Sequence, residues 1–91
     1  MAYQIRLTSN AARSLQGFDP RIQQKVQSVI KALADDPRPN GAKPLGGYPG
    51  LLRIRDGDYR IIYRIDHDRN MVEIVRIGHR REIYTSLAVV L

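Results

Sequence analysis

The chain has 91 residues, with 15 Lys or Arg against 9 Asp or Glu, a formal net charge of +6 and no cysteine. That length makes one domain, residues 1–91, with a small core. The absence of cysteine excludes disulfides, thiolate metal sites and a cysteine nucleophile. No apolar run is long enough for a membrane helix and the first residues lack a signal-peptide layout, so a cytoplasmic protein with no membrane partner is expected. Twelve of the basic residues are arginines, whose planar fork grips phosphate or carboxylate oxygens in pairs and never deprotonates near neutrality. The excess points to an anionic partner.

In chain order, Tyr3-Gln4-Ile5-Arg6-Leu7 alternates as a strand. Thr8, Ser9 and Asn10 are N-cap residues for a short helix over Ala11 to Gln16, which Gly17 is placed to end. Asp19-Pro20 starts a second helix, a capping carboxylate followed by a proline whose missing N–H does no harm there. Ile22, Val26, Val29, Ile30 and Leu33 give it one apolar stripe, and Asp35-Asp36-Pro37 stops it. Prolines and glycines then alternate over residues 37–50, predicting a loop anchored by Leu45 and Tyr48. A loop of that length in a small domain is often functional.

Residues 51–65 read as a hairpin with Asp56-Gly57 as a type I′ turn. Leu52 and Ile54 on one strand, and Tyr59, Ile61, Tyr63 and Ile65 on the next, form its apolar face. Arg53, Arg55, Arg60 and Arg64 project from the other. A one-residue slip would bury the arginines, so the faces are fixed. With that turn, Arg53 lies across from Arg60 and Arg55 from Asp58. Facing like charges destabilise a strand pair by up to about 1 kcal/mol, a strain that an anion relieves. Asp66 to Asn70 is a second turn, Met71 to Ile77 an interior strand, and Gly78 its end. Residues 80–86 are expected to form a helical turn, followed by a short apolar tail, Leu87 to Leu91. The order is strand, two helices, three-strand meander: an α+β domain, mainly antiparallel, with the helices on one sheet face and the arginines on the open one.

The segment Gly78-His79-Arg80-Arg81-Glu82-Ile83-Tyr84 adds two cations, an imidazole, a carboxylate and a phenol where the last strand leaves the sheet. Metal-independent RNA cleavage needs a base for the ribose 2′-OH, an acid for the departing 5′-oxygen, and cations for the charge growing on phosphate. Arginine does the third and cannot be the base. The base falls to His79, Glu82, Tyr84, Asp58 or a group outside the protein, and His79 has the best-placed intrinsic pKa. His67 lies in a turn, away from the chemistry. No glycine-rich phosphate loop opens a helix and no His or carboxylate spacing suggests a metal centre, so neither metal nor cofactor is expected.

Three segments together resemble the RelE/ParE toxin superfamily, the RelE branch in particular. They are Lys43-Pro44-Leu45-Gly46-Gly47, Leu52-Arg53-Ile54-Arg55-Asp56-Gly57-Asp58-Tyr59-Arg60-Ile61-Ile62-Tyr63, and Ile77-Gly78-His79-Arg80-Arg81-Glu82-Ile83-Tyr84. The resemblance covers nearly the whole chain. It implies the toxin of a type II toxin–antitoxin pair that cleaves mRNA in the ribosomal A site without metal. The implied partners are the ribosome and mRNA, a RelB-like antitoxin, and operator DNA only through that antitoxin. The family's basic pair falls on Arg53 and Arg55, its second-strand arginine on Arg60, its arginine after the last strand on Arg80 and its C-terminal tyrosine on Tyr84. Family logic gives the cations phosphate binding and transition-state stabilisation, and the tyrosine base stacking or orientation. Some relatives carry lysine at the positions of Arg53 and Arg55. Arginine cannot shuttle a proton there, so His79 and Glu82 are the substitutes. Lys43, Arg64 and Arg81 complete the expected RNA-binding set. Alanine at Arg60 or Arg80 is expected to relieve toxicity with the fold intact. Three other readings are a ParE-like inhibitor of DNA gyrase on the same fold, a non-catalytic nucleic-acid-binding module, and a decayed toxin that folds and binds antitoxin but is inactive.

Overall fold

The structure is a computed structural model that describes residues 2–79. Strand β1 (Gln4–Leu7) leads into helices α1 (Ser9–Gly17) and α2 (Pro20–Asp35), followed by β2 (Lys43–Pro44), β3 (Leu52–Asp56), β4 (Tyr59–Asp66) and β5 (Met71–His79). The sheet order is β1-β5-β4-β3-β2, with β1 parallel to β5 and the remaining pairs antiparallel. The expected α+β class and helix positions hold. The helical turn and apolar tail expected beyond residue 79 lie outside the described residues.

Both helices begin where their caps dictate. The Asp19 carboxylate accepts the N–H groups of Arg21 and Ile22 at 2.9 and 3.1 Å, and Pro20 opens the first turn. At α1 the cap is Thr8, whose hydroxyl accepts the Ala11 N–H at 3.1 Å and donates to the Val75 carbonyl at 2.8 Å. That carbonyl needs a donor because β5 carries a bulge: Ile62 faces Arg76 and Tyr63 faces Ile74, leaving Val75 as the extra residue. One side chain therefore caps a helix and satisfies the bulge.

The core lies between the helices and one sheet face. Val26, Ile30 and Leu33 of α2 and Ala11 of α1 pack with Leu52, Ile61, Tyr63, Val72, Ile74 and Ile77. Ile54 and Ile65 join at its margin, so the apolar face expected of the hairpin is the one that is buried. Each large apolar side chain there contributes about 1.5–3 kcal/mol by leaving water. The Tyr63 hydroxyl is satisfied inside this core by donating to the Pro37 carbonyl at 2.7 Å, and burial pushes its pKa up to about 12.

Three expectations need correcting. The hairpin turn is Gly57-Asp58, with Asp56 paired to Tyr59. Gly57 has φ 60 and Asp58 has no positive φ, the pattern of a type II′ turn with glycine first. Strand β5 continues through Gly78, which pairs with Arg60, to His79. Finally, the stretch over 37–50 is not free of structure. Lys43 and Pro44 pair with Arg53 and Leu52 at the sheet edge, where proline's missing donor is tolerated. The carbonyls of Leu45 and Tyr48 accept the N–H groups of Tyr48 and Leu51 at 3.2 and 3.1 Å. Gly47 (φ 83) and Gly50 (φ 84) occupy the third position of each turn, as two successive type II turns require. A Leu45 N–H bond to the Leu51 carbonyl at 3.0 Å closes the unit.

Candidate nucleic-acid interface

Strand alternation and register place the cations. Lys43, Arg53 and Ile62 are successive cross-strand partners, and so are Arg55, Arg60 and Gly78. Partners share a face, and Ile62 pairs in turn with Arg76, so two adjoining rows of the open face carry five cations, Lys43, Arg53, Arg76, Arg55 and Arg60, with no acid among them. Arg53 therefore faces Ile62 and Arg55 faces Arg60, not the Arg53–Arg60 and Arg55–Asp58 pairs that a type I′ turn gives. The shift of register is two residues, which leaves every side chain on its expected face.

These cations are not equivalent. Lys43 and Arg55 are exposed and Arg53 is half-buried. Arg60 is only 7% exposed. Its Nη1 donates to the carbonyls of Gly57 and Tyr59 at 2.9 and 3.0 Å, so the guanidinium clamps the hairpin turn while lying beside Arg55.

The open face is also less open than the hairpin implies. Ile62 is fully buried there, under Leu45, Tyr48 and Leu51 of the double turn and beside Val75. Beyond this apolar island comes a third row, in which Glu73 pairs with Arg64 on one side and Arg6 on the other. The Arg64 guanidinium meets the Glu73 carboxylate at 2.8 Å, so Arg64 is set apart from the other hairpin arginines and partly neutralised. A hollow of about 590 Å³ lies at this end, lined by Arg6, Arg64, Asp66, His67, Arg69 and Glu73 among others. Its mixed charge makes it a poorer home for phosphate than the acid-free rows.

His79 is placed apart. It pairs with Tyr59 in the ladder, two residues beyond inward-facing Ile77, so it shares the helix side of the sheet. Its ring stands edge-on to Tyr59 at 6.0 Å, and Tyr59 stands edge-on to Phe18 at 5.0 Å. The imidazole thus belongs to an aromatic row on the face away from Arg53 and Arg55. Asp58 sits in the hairpin turn and is exposed. Arg80, Arg81, Glu82 and Tyr84 lie outside the described residues. His67 takes a turn position, its Nδ1 3.1 Å from the Tyr3 hydroxyl.

The strand pattern misses Arg76, which is 7% exposed and donates from Nη1 to Asn10 Oδ1 at 2.7 Å. It reaches α1 just past the end of the β1 ladder, a position that only the bulge creates. Among the described residues, no three His, Asp or Glu gather to hold a metal ion. No helix among them is long and apolar enough to cross a membrane.

The ParE toxin family of type II toxin–antitoxin systems matches residues 5–84. The chain is 35% identical to Toxin RelG of Mycobacterium tuberculosis over 85 residues, covering 92% of this chain and 98% of that protein. It is also 35% identical to Toxin RelE of the same organism over 83 residues, covering 90% and 86%. Among solved structures, the toxin–antitoxin complex RelBE2 of M. tuberculosis matches with a TM-score of 0.78 at 35% identity, covering 88% of this chain and 100% of that one. The intact Escherichia coli RelBE complex matches in fold, with a TM-score of 0.75 at 20% identity over 86% and 96% of the two chains.

Proposed function

This chain belongs to the RelE/ParE superfamily of type II toxin–antitoxin toxins, and from that premise we propose that it is a cytoplasmic, ribosome-dependent endoribonuclease held inactive by a RelB-like antitoxin. The observation that carries this reading is the pair of acid-free rows, Lys43–Arg53 and Arg55–Arg60, on a rigid sheet face. In the reaction, the ribose 2′-oxygen loses its proton and bonds to the adjacent phosphorus while the bond to the 5′-oxygen breaks. That oxygen takes up a proton as it leaves. Lys43, Arg53 and Arg55 hold the phosphates and stabilise the charge that builds on them. Arg60, fixed by its turn carbonyls, orients the hairpin and adds its field from beneath. Family resemblance assigns Arg80 to the same phosphates and Tyr84 to base stacking or orientation, and we add Arg81 to the phosphate-binding set. Glu82 is the carboxylate we assign to proton transfer, with His79 turned to the other face of the sheet.

Primer extension on translated mRNA after induction tests this: cleavage within codons is expected. Alanine at Arg55 should abolish it while leaving antitoxin binding intact. The family match also carries the ParE name, which supports a second reading, inhibition of DNA gyrase without nuclease chemistry. DNA damage with intact mRNA would establish that reading and overturn the first.

A further inference from the structure

Tyr48 has no duty in the fold that needs an aromatic ring. The other described tyrosines are each engaged: Tyr63 donates to Pro37, Tyr3 meets His67, and the Tyr59 ring contacts Phe18 and His79. Among the described residues, Tyr48 alone of the tyrosines has neither a side-chain hydrogen bond nor a ring partner. It is half-buried and packs against Ile62. A leucine would cover Ile62 as well.

Its backbone is nonetheless tightly held, at the corner shared by the two type II turns. Glycines at φ 83 and 84 flank it. The ring and its neighbours Leu45, Leu51, Ile62 and Val75 make an apolar island on a cationic face. Arg53 and Lys43 stand one and two strands from Ile62, or roughly 5 and 10 Å away. A rigid aromatic surface at that distance from phosphate-binding cations is the arrangement that single-stranded nucleic acid recognises, with the base on the ring and the backbone on the charge.

We propose that Tyr48 is a stacking platform for one nucleobase of the RNA strand whose phosphates are held by Lys43, Arg53 and Arg55. The proposal rests on the reading of the open face given above and adds a base-contacting residue to it. Stacking tolerates any base, so Tyr48 fixes the position of the strand and not its sequence.

The test uses the full chain, an uncleavable 2′-deoxy-substituted tetranucleotide, and the same tetranucleotide with one abasic position. The expected result is an upfield displacement of the Tyr48 ring protons with the base-bearing strand and none with the abasic one. Tyr48→Phe should bind as the parent does. Tyr48→Leu should keep the parent's thermal midpoint and bind roughly 5- to 150-fold more weakly. An unmoved Tyr48 signal, or full affinity in Tyr48→Leu, would overturn the platform. Ring displacement without mRNA cleavage on ribosomes would uphold the platform while removing the nuclease reading. Cleavage at the parental rate in Tyr48→Leu would do the reverse.

Discussion

Replacing Arg60 by alanine should weaken the fold as well as the activity, whereas replacing Arg55 should weaken only the activity. The Arg60 guanidinium makes two hydrogen bonds to turn carbonyls from a nearly buried position. Bonds from a charged donor contribute roughly 1.5–3 kcal/mol each where the acceptor is left dry. Gly57 is exposed, so water recovers part of that loss. Against it stands relief of the facing charge of Arg55, up to about 1 kcal/mol. The balance is a destabilisation of about 1–2 kcal/mol, or a fall of about 4–15 °C in the melting temperature of a domain this size. Arg55→Ala, by contrast, should leave the melting temperature unchanged or raise it by a few degrees, and in the Arg60→Ala background that gain should vanish. Thermal unfolding followed by circular dichroism at low and high salt completes the cycle. Salt should shrink the Arg55 effect and spare the Arg60 effect, since only the former is screened repulsion. An Arg60→Ala protein that melts with the parent would refute the clamp.

Other substitutions probe separate features. Gly57→Ala meets no atom within 4 Å but must adopt φ 60, and its backbone strain should lower the urea-unfolding free energy by about 1–3 kcal/mol; parental stability would deny the type II′ turn. Glu73→Gln breaks a pair whose side chains are 61% and 22% exposed, so it should change stability by less than about 1 kcal/mol. It also removes the acid from the third row and should tighten RNA binding about twofold at low salt only, as a filter-binding series would show. Tyr63→Phe loses one buried hydrogen bond and about 1 kcal/mol. The raised Tyr63 pKa has a further signature. The unfolded chain loses its phenolic proton near 10.0 and the folded one near 12, so stability is full below the first value. It should then fall by on the order of 2–3 kcal/mol as the pH climbs to the second. Parallel pH–stability curves for parent and Tyr63→Phe would contradict that assignment.

What the sequence conveyed was mostly periodicity, and what it withheld was mostly turn geometry. Asp19-Pro20 and the Ile22–Leu33 stripe specify α2 because cap and amphipathic face agree. The apolar and cationic faces of the hairpin follow from alternation alone. The register does not, because sliding the pairing by two residues preserves both faces, and only the conformation of Gly57 chooses between Asp56-Gly57 and Gly57-Asp58. That choice decides whether Arg53 or Arg55 confronts Arg60. The bulge at Val75 has no local signature, so neither the Thr8 bond to its carbonyl nor the burial of Arg76 could be anticipated. Two features were legible but easily passed over. Counting inward from Ile77 puts His79 on the helix side, and Gly46-Gly47-Tyr48-Pro49-Gly50 already contains the proline and glycines of type II turns. The small strand β2 is too short for any pattern.

The parallel pairing of β1 with β5 has a consequence for when this molecule can come into being. The two strands pair residues 67 positions apart, such as Gln4 with Met71. Closing so long a span is entropically slow. A ribosome releases β1 and both helices well before their partner strand exists, and Val72 and Ile74, which complete the floor under α2, arrive late. Until the segment carrying them clears the exit tunnel, the nascent polypeptide has its cations but no platform to array them on. An agent that attacks translation would thus remain harmless to the very machine assembling it.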